Sequence, residues 1–477
     1  MYVLFYAYNI KMKKTSRDKT SFSPAKTPAP AQVRKLFLQL ASLAAIVGPP
    51  DHYERLWTPL ITLWYFIWQW LQPHHTLEAV VTDARRGGAD RLTPKNKRLS
   101  QRIKSRATTS YCQARQRLPL AWLRDCFLKL GQQLRRLAGQ PDPALPVELL
   151  DGSTKRLRPY GDIAQGFPPH RTRRQRSYWC VARVLVSFCA TTGIAMGALI
   201  ASNYISEQAM AVQLMLEAAK HVLYIGDRNF GVWRVVRAAK QSGGHALVRL
   251  TQVRARRLLG KKRLPNFLDL PLQWIPSSHD QVDPGLSKEP VQGRLIIVRA
   301  VRPGWRPQTL YLFTTLTDVR TYPPRRLLEM YGWRWQAELN FRTVKDTMEM
   351  DRSEAKSADM VRKEFYAGLM AYNLVRGLMT AAAGQTGGSP SQLSFAKVRL
   401  LLAAVIVELW MSSMSRAACD QRLLWLLTEA SAARLPHRVK PRQNEPRAQY
   451  YEPQIFPKIK GPRSEARLAL KKSLQKN

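Results

Sequence analysis

Three acidic residues, Asp151, Asp227 and Glu338, stand where their carboxylates could meet at metal ions. Asp151 and Asp227 each follow an apolar run, residues 147–150 and 221–226. If both runs are strands, the two carboxylates reach the carboxyl edge of one sheet, where sites gather in such folds. Carboxylates from different elements can hold two Mg²⁺ ions about 3.5 to 4 Å apart, the arrangement that cuts and rejoins phosphodiesters. The pattern predicts a site with two Mg²⁺ ions, for which Mn²⁺ could substitute.

Glu338 lies in a segment that predicts a single helix from residue 331 to 345. At about 100° per residue, Tyr331, Arg334, Glu338 and Lys345 fall within a stripe about 60° wide. On such a face the acid can bind metal while the cations and the hydroxyl hold phosphate oxygens. The alternative is a solvated face on which Glu338 pairs with Arg334 and Arg342 at i,i+4 spacing.

The two aspartates also have a plain structural interpretation. Asp151 begins the sequence Asp-Gly-Ser-Thr, and Asp before Gly is a common turn signal. Asp227 precedes Arg228, with which it could form a local salt bridge. The residues alone therefore leave both interpretations open.

The net charge indicates a polyanionic partner. The chain of 477 residues has 76 Lys plus Arg against 33 Asp plus Glu, a formal charge of +43. Such an imbalance destabilises an isolated compact state by self-repulsion, and nucleic acid is the natural neutralising partner. A basic ribosome-associated or membrane-surface protein remains an alternative on charge alone.

Cysteine usage and hydropathy exclude other classes of protein. The five cysteines form no C-x-x-C pair, which argues against a disulfide framework or zinc site and indicates a reduced compartment. The apolar stretch at 56–71 is short and contains Pro59, so it predicts a buried helix, and 184–201 predicts a sheet hairpin. The first ten residues do not resemble a secretory signal. We expect a cytoplasmic protein with no membrane contact.

Periodicity and composition predict an α/β fold, a mixed sheet flanked by helices, interrupted by a β-rich insertion and preceded by an N-terminal helical domain. Ser206 is the predicted N-cap of a helix over 206–219, and helices dominate from 323 to 433. The predicted segments are a disordered basic arm at 1–35, a helical DNA-binding domain at 36–145, a first catalytic part at 146–245, the β-rich insertion at 246–316, a second catalytic part with C-terminal helices at 317–433, and a basic tail at 434–477.

The spacing Tyr-x2-Arg-x3-Glu-x6-Lys, formed here by Tyr331, Arg334, Glu338 and Lys345, resembles the YREK signature of bacterial transposases of the insertion sequence four type. Further segments are similar to that family: Asp-Gly-Ser-Thr at 151–154, Asp-Arg-Asn-Phe at 227–230, and the stretches 58–64, 341–345 and 364–376. The resemblance runs from about residue 40 to 430.

The resemblance implies that Asp151, Asp227 and Glu338 are the DDE metal ligands of an RNase H-like catalytic domain. It implies that Tyr331, Arg334 and Lys345 hold phosphates at the transposon end, with Arg342 as a further DNA contact in the same segment. Such enzymes work as dimers on double-stranded DNA, at the terminal inverted repeats and at the target. They release the element by double-strand cleavage and insert it through attack by its 3′-hydroxyl.

Several relatives pass through a DNA hairpin and insert a β-rich module between the second aspartate and the glutamate. Residues 228–337 leave room for that module here. Relatives use an aromatic residue in it to stack a flipped base, a contact that stabilises an unpaired nucleotide. Trp305 and Trp274 are the candidates, and either could instead be a structural tryptophan.

We therefore expect a DNA transposase of the bacterial cytoplasm, associated with the nucleoid. Two alternatives come from other classes of protein. One is a non-catalytic DNA-binding derivative of a transposase, and the other is a repair nuclease of the same fold that has no transposon ends to recognise.

Overall fold

The computed structural model describes residues 56–435, apart from 74–75, 94–97, 138–144, 172–175, 219–220, 279, 281–282, 301–307, 352 and 411–414, and beyond these only residues 465 and 468. Two compact units are distinguished, residues 1–435 and 436–477, and the elements described below all belong to the first. The predicted basic arm at 1–35 and nearly all of the predicted tail at 434–477 lie outside the described residues.

Helices make up the described N-terminal part. The helices are α1 (Pro59–Leu71), α2 (Leu77–Arg86), α3 (Leu99–Arg102), α4 (Thr109–Arg117) and α5 (Leu120–Leu137). Helix α1 begins where the Thr58 hydroxyl accepts a hydrogen bond from the Ile61 amide and Pro59 occupies the first turn. Residues 61–71 are all buried, so the predicted buried helix is confirmed. Within the described residues, no helix is long and apolar enough to cross a membrane.

A nine-stranded mixed sheet forms the centre of the molecule. The strands are β1 (Val147–Leu157), β2 (Pro169–Arg171), β3 (Arg176–Cys189), β4 (Ala195–Ser202), β5 (Leu223–Gly226), β6 (His245–Arg249), β7 (Phe267–Trp274), β8 (Val291–Ala300) and β9 (Gln308–Thr314). The order is β2-β3-β1-β5-β6-β9-β8-β7, and β4 pairs with β3. Strands β1, β5 and β6 are parallel, and the other pairings are antiparallel. The predicted hairpin at 184–201 is confirmed as part of β3 and β4.

Successive side chains of the central strands enter two different hydrophobic cores. Leu149 belongs to one core and Leu150 to the other, and Ile225 and Tyr224 divide in the same way. Alternation along a strand sends neighbouring residues to opposite faces, and both faces are covered here. This explains why the strands read as nearly continuous apolar runs.

Helices cover both faces of the sheet. On the face of Leu150 lie α7 (Glu207–Ala218) and α8 (Trp233–Gln241), while two short helices, α6 (Ile163–Gly166) and α9 (Gln252–Leu259), occupy connections. The Ser206 hydroxyl accepts from the Ala209 amide at 3.1 Å, which confirms the predicted N-cap of α7. The other face carries α5 and the C-terminal helices α10 (Pro324–Gly332), α11 (Trp335–Arg342), α12 (Ala358–Gln385), α13 (Phe395–Trp410) and α14 (Arg416–Ala432).

The strand that carries Asp151 is longer than predicted. We expected the apolar run to end at Asp151, but β1 continues to Leu157 and pairs with β3 throughout. The buried Lys155 side chain donates to the Met350 carbonyl at 2.8 Å, and the Arg156 amide donates to the Asp351 carbonyl at 3.1 Å. Contacts with a segment almost two hundred residues away thus hold the polar half of the strand, and local sequence carries no signal for them.

The segment predicted as a β-rich insertion continues the central sheet. Strand β9 pairs with β6, and β8 and β7 follow outward. Strand β7 was not predicted; it contains Pro271, which an edge strand tolerates. Trp274 is buried and packs edge-on against Phe313 at 4.8 Å, so its candidacy as a base-stacking residue was wrong. Trp305 lies outside the described residues.

Helix α12 is anchored to the sheet by polar side chains. Asn373 is fully buried; its Oδ1 accepts from the Ala195 amide at 2.8 Å, and its Nδ2 donates to the Ala195 carbonyl at 2.9 Å. The Tyr372 hydroxyl donates to the Gly193 carbonyl at 2.8 Å. Gly193 has φ +73°, and a Cβ there would lie 3.1 Å from Arg376 and Asn340. The turn before β4 is therefore fixed by the middle of α12.

Replacing Asn373 by Leu should destabilise the fold strongly. The change keeps the side-chain volume but leaves the buried amide and carbonyl of Ala195 without their partners, at a cost of about 2 to 4 kcal/mol. Urea unfolding at constant m-value measures the loss. The control is Thr380→Val on the same helix, where the hydroxyl bonds to the Arg376 carbonyl one turn earlier. Equal midpoints for the two variants would contradict the proposed anchoring.

Candidate active site

Asp151 lies on β1, and Asp227 directly follows β5, the parallel strand that pairs with β1. Leu149 of β1 pairs with Ile225 of β5, and Asp151 and Asp227 each come two residues later in the chain. Because Asp151 is two residues after Leu149, alternation directs its side chain to the same face of the sheet, which α11 and α12 cover. Asp227 follows directly after the last residue of β5. The structure thus brings together the two aspartates that the sequence singled out.

A local turn fixes the Asp227 carboxylate. Its Oδ1 accepts from the Asn229 amide at 2.8 Å, and its carbonyl accepts from the Phe230 amide at 3.2 Å. The Asn229 side chain in turn donates to Glu207 Oε2 at 2.6 Å, and Gln208 donates to the Asn229 carbonyl at 2.8 Å. The first turn of α7 therefore holds the loop that positions Asp227.

Glu207 is a further carboxylate near Asp227, on the face of the sheet opposite to that of Asp151, and it was not predicted. A Cβ at position 152 would lie 2.4 Å from the Glu207 carboxyl carbon, so the glycine after Asp151 leaves room for this side chain. Burial raises the pKa of Glu207, Arg183 and the Asn229 hydrogen bond lower it, and Asp227 raises it. The one sequence signal was its place just after the Ser206 cap, which identified a helix start and no site.

The segment around Glu338 is divided, and the single helix predicted for 331–345 was wrong. Helix α10 ends at Gly332, α11 runs from Trp335 to Arg342, and a π-helical turn spans Thr343–Thr347. Arg334 Nη1 lies 2.6 Å from Glu338 Oε1, so the ion pair that we considered as an alternative is present. Tyr331 sits in the preceding helix and is only 7% exposed.

Two contacts orient α11 against the sheet and α12. Phe341 packs edge-on against Phe188 of β3, with ring centroids 5.3 Å apart. Asn340 Oδ1 accepts from Arg376, whose Nε donates to the Tyr372 hydroxyl at 2.9 Å. The hydrogen bonds that fix the β3–β4 turn therefore extend directly to the helix that carries Glu338.

The three predicted acids interact electrostatically. The pKa of Asp151 is raised to about 7, first by burial and then by the negative charges of Asp227 and Glu338, while the Gly152 amide and Arg334 lower it. Carboxylates that affect one another in this way lie near one another. Burial is the largest cause of the shift at Asp151, whereas the Glu338 side chain is 37% exposed. Within the described part of the chain, no group of three acidic, histidine or cysteine side chains is drawn together tightly enough to form a finished metal cage.

Cationic and phenolic groups border the acids. Arg334 contributes to the electrostatics of both Asp151 and Asp227. Burial raises the pKa of Tyr331, and the neighbouring Arg334 and Arg249 oppose that shift. Arg249 ends β6 at the same edge of the sheet as Asp227, and the sequence patterns did not single it out. These groups lie where an anionic ligand would approach the acids.

Two further predicted DNA contacts, Arg342 and Lys345, follow Glu338 in the chain. Arg342 is exposed at the end of α11, and Lys345 is half-buried in the π-helical turn. On a helical path, Lys345 lies about 10 Å beyond Glu338 along the axis. For these two residues the role in DNA binding stays a prediction.

Asp151→Asn should stabilise the protein at pH 8. Folding raises the pKa of Asp151 to about 7, so the carboxyl group ionises more readily in the unfolded chain than in the folded protein. This difference lowers the free energy of unfolding by nothing below the ordinary pKa near 4 and by a growing amount as the pH rises to about 7. Removing the charge should raise the Tm by about 2 to 6 °C at pH 8 and by less at pH 5. Scanning calorimetry at both pH values checks this. The control is the exposed Asp125→Asn, and an equal effect at pH 5 and pH 8 would disprove the shift.

The segment of the chain that carries this site is similar to known proteins. Residues 144–374 match the family model described as transposase DDE domain. The chain is 27% identical over 300 residues to "Transposase InsG for insertion sequence element IS4" from Escherichia coli (strain K12), an alignment that spans 61% of this chain and 65% of that relative. A piggyBac transposase synaptic complex with hairpin DNA aligns over 83% of this chain and 84% of that chain, with 11% identity and a TM-score of 0.39. Residues 144–374 therefore resemble the transposase DDE domain, and part of the chain is similar to a transposase of the insertion sequence four type.

Proposed function

We propose that this protein is a DNA transposase that cleaves DNA at the ends of a transposable element and joins the freed 3′-hydroxyl to target DNA. The observation that carries the proposal is the placement of Asp151 on β1 and of Asp227 directly after the paired strand β5, with Glu338 close enough to raise the pKa of Asp151. All three residues fall within the segment that matches the transposase family model. A cluster of acidic side chains is unexpected in a chain of net charge +43, so the cluster indicates a functional site.

The topology supports an RNase H-like assignment for the catalytic domain. Strands β4, β3 and β1 form an antiparallel meander, and β5 and β6 then add in parallel. Helices lie on both faces, and the acids stand at the carboxyl edge of β5 and beside it. Ligands in open α/β sheets bind outside the carboxyl ends of the parallel strands. The proposed active site occupies that place.

The acids suit divalent metal ions of the Mg²⁺ type, with Mn²⁺ as a substitute. Asp151, Asp227 and Glu338 would hold them, because hard cations prefer carboxylate oxygens, and burial together with the charges of Asp227 and Glu338 raises the pKa of Asp151, a cost that a bound cation would offset. When bound, such ions activate the attacking oxygen and neutralise the charge of the leaving oxygen. Glu338 first has to exchange its ion pair with Arg334 for a metal contact.

The protein's own cations then serve the phosphate. Once separated from Glu338, the Arg334 guanidinium can donate two parallel hydrogen bonds to phosphate oxygens. Arg249 and the Tyr331 hydroxyl border the same region and can fix the backbone next to the scissile bond. Phosphoryl transfer depends mainly on positioning and charge neutralisation, so these groups suffice without a nucleophilic Ser or Cys. Two copies of the chain, one at each DNA end, would pair the ends.

Asp151→Asn should reduce DNA cleavage by at least about a thousandfold while leaving DNA binding intact, since the change removes one metal ligand and no cation. The assay is nicking of a duplex from the boundary of the element in Mg²⁺, with gel-shift binding in parallel. Asp125→Asn, on the surface of α5, is the matched control. Normal cleavage by Asp151→Asn would overturn the assignment of this residue.

The wild-type protein decides between the rival functions in the same assay. A non-catalytic derivative would bind terminal repeats and never nick them. A repair nuclease would nick duplexes with and without the repeats equally. Cleavage that requires the repeats, followed by joining of the 3′ end, is the outcome that we expect.

Glu207→Ala should weaken the response to metal more than it weakens binding of DNA. Without the Glu207 carboxylate the Asn229 side chain loses its acceptor, and the turn that fixes Asp227 becomes mobile. We expect the Mg²⁺ concentration for half-maximal cleavage to rise at least about fivefold. Glu207→Gln keeps an acceptor oxygen and should retain most of the wild-type response.

Gln213→Ala on the exposed side of α7 serves as the control for Glu207→Ala, because Gln213 bonds to Glu217 on its own helix. If Glu207→Ala lowers the maximal rate with no change in the Mg²⁺ response, Glu207 does not position Asp227.

A further inference from the structure

Strands β1 and β3 form a ribbon that projects beyond the acids. Strand β5 ends at Gly226, but β1 and β3 stay paired from the Asp151–Val186 level to the Leu157–Cys180 level. Strand β2 then pairs with the first residues of β3, at Arg171 and Arg176. The two strands therefore extend past the edge of the sheet where Asp227 stands.

Two large aromatic side chains are exposed near the end of this ribbon. Tyr178 is 70% exposed and Trp179 is 42% exposed. Their ring centroids are 5.7 Å apart with an interplanar angle of 85°, so the two rings already pack edge to face. Tyr160, in the loop that follows β1, is 42% exposed as well. Large aromatic side chains that are exposed next to one another indicate a binding surface.

The sequence near the two aromatic residues is rich in arginine. In the sequence, residues 170–176, which lead into β3, contain four arginines and no acidic residue. Arg156 and Arg158, on and just after the end of β1, have side chains 60% and 45% exposed and pair at the surface with Asp351 and Glu354. Aromatic rings among arginines match the bases, sugars and phosphates of nucleic acid, whereas an apolar protein partner would not call for such charge.

We propose that Tyr178 and Trp179 form a second DNA-contacting surface, an aromatic tip that holds DNA away from the cleaved bond. This inference rests on the proposed function, since the DNA contacted by Tyr178 and Trp179 is the DNA that the acids are proposed to cleave. Val186 of β3 pairs with Asp151, and Tyr178 lies eight residues from Val186 along β3, a distance of about 27 Å. At about 3.4 Å per base pair, the tip reaches DNA about eight base pairs from the scissile phosphate.

The test compares wild type with the double variant Tyr178→Ala, Trp179→Ala on a 40-base-pair duplex from the boundary of the element. Binding is measured by fluorescence anisotropy, and hydroxyl-radical footprinting locates the contact. We expect Kd to rise at least about tenfold. Protection should disappear about six to ten base pairs from the cleavage position and remain at that position. Tyr178→Phe with Trp179→Phe keeps both rings and should restore most of the affinity.

Trp425→Ala is the matched control, because Trp425 on α14 is also 42% exposed and has Arg422 over its ring at 5.5 Å. Its binding should equal that of wild type. Wild-type affinity and footprint in the double variant would overturn the proposal. So would a loss of self-association without DNA, seen by sedimentation, because the tip would then be a contact between protein copies. If wild type binds but never cleaves, the proposed function fails, while the footprint comparison still decides the role of the tip.

Discussion

The most demanding constraint in this protein is the crowding of negative charge at Asp151. Asp227 and Glu338 raise its pKa in a region that burial has already made unfavourable for ions. Repulsion between the carboxylates would move them apart, so contacts elsewhere in the fold have to keep them close. The pairing of β1 with β5 sets the two aspartates level with each other, and the turn at Asn229 fixes the second. The strand pairing and the turn therefore keep the acidic side chains in place.

Helix α12 supplies most of the remaining restraint. Asn373 binds both backbone groups of Ala195, Tyr372 binds the Gly193 carbonyl, and Arg376 reaches Asn340, two residues after Glu338. Three polar residues within one turn of one helix therefore connect the β3–β4 turn to α11. Polar contacts that are fully buried specify a single geometry, since a shifted partner leaves a group unsatisfied. The stretch 364–376, noted in the sequence as similar to transposases, includes all three residues.

Local patterns predicted part of this architecture, and contacts between distant residues decided the rest. The apolar runs at 147–150 and 221–226, the Ser206 cap and the buried helix before Leu71 were predictable, because alternation, capping and apolar content are local. The second half of β1 was not, since its polar residues are held by Met350 and Asp351. The break before Trp335 and the carboxylate of Glu207 were missed for the same reason: chain neighbours do not reveal which side chains meet in space.

Through the pairing of β6 with β9, the described strands β9, β8 and β7 between Asp227 and Glu338 belong to the same hydrogen-bonded sheet as β1 and β5. To swing these strands toward or away from the acids would break a ladder of backbone hydrogen bonds, each of which leaves buried polar groups unsatisfied. This part of the sheet is therefore stiff, and under the proposed function the shape change needed for a close fit has to come from the DNA. Sequences that bend or unpair at low cost would be processed preferentially, even where no side chain touches a base.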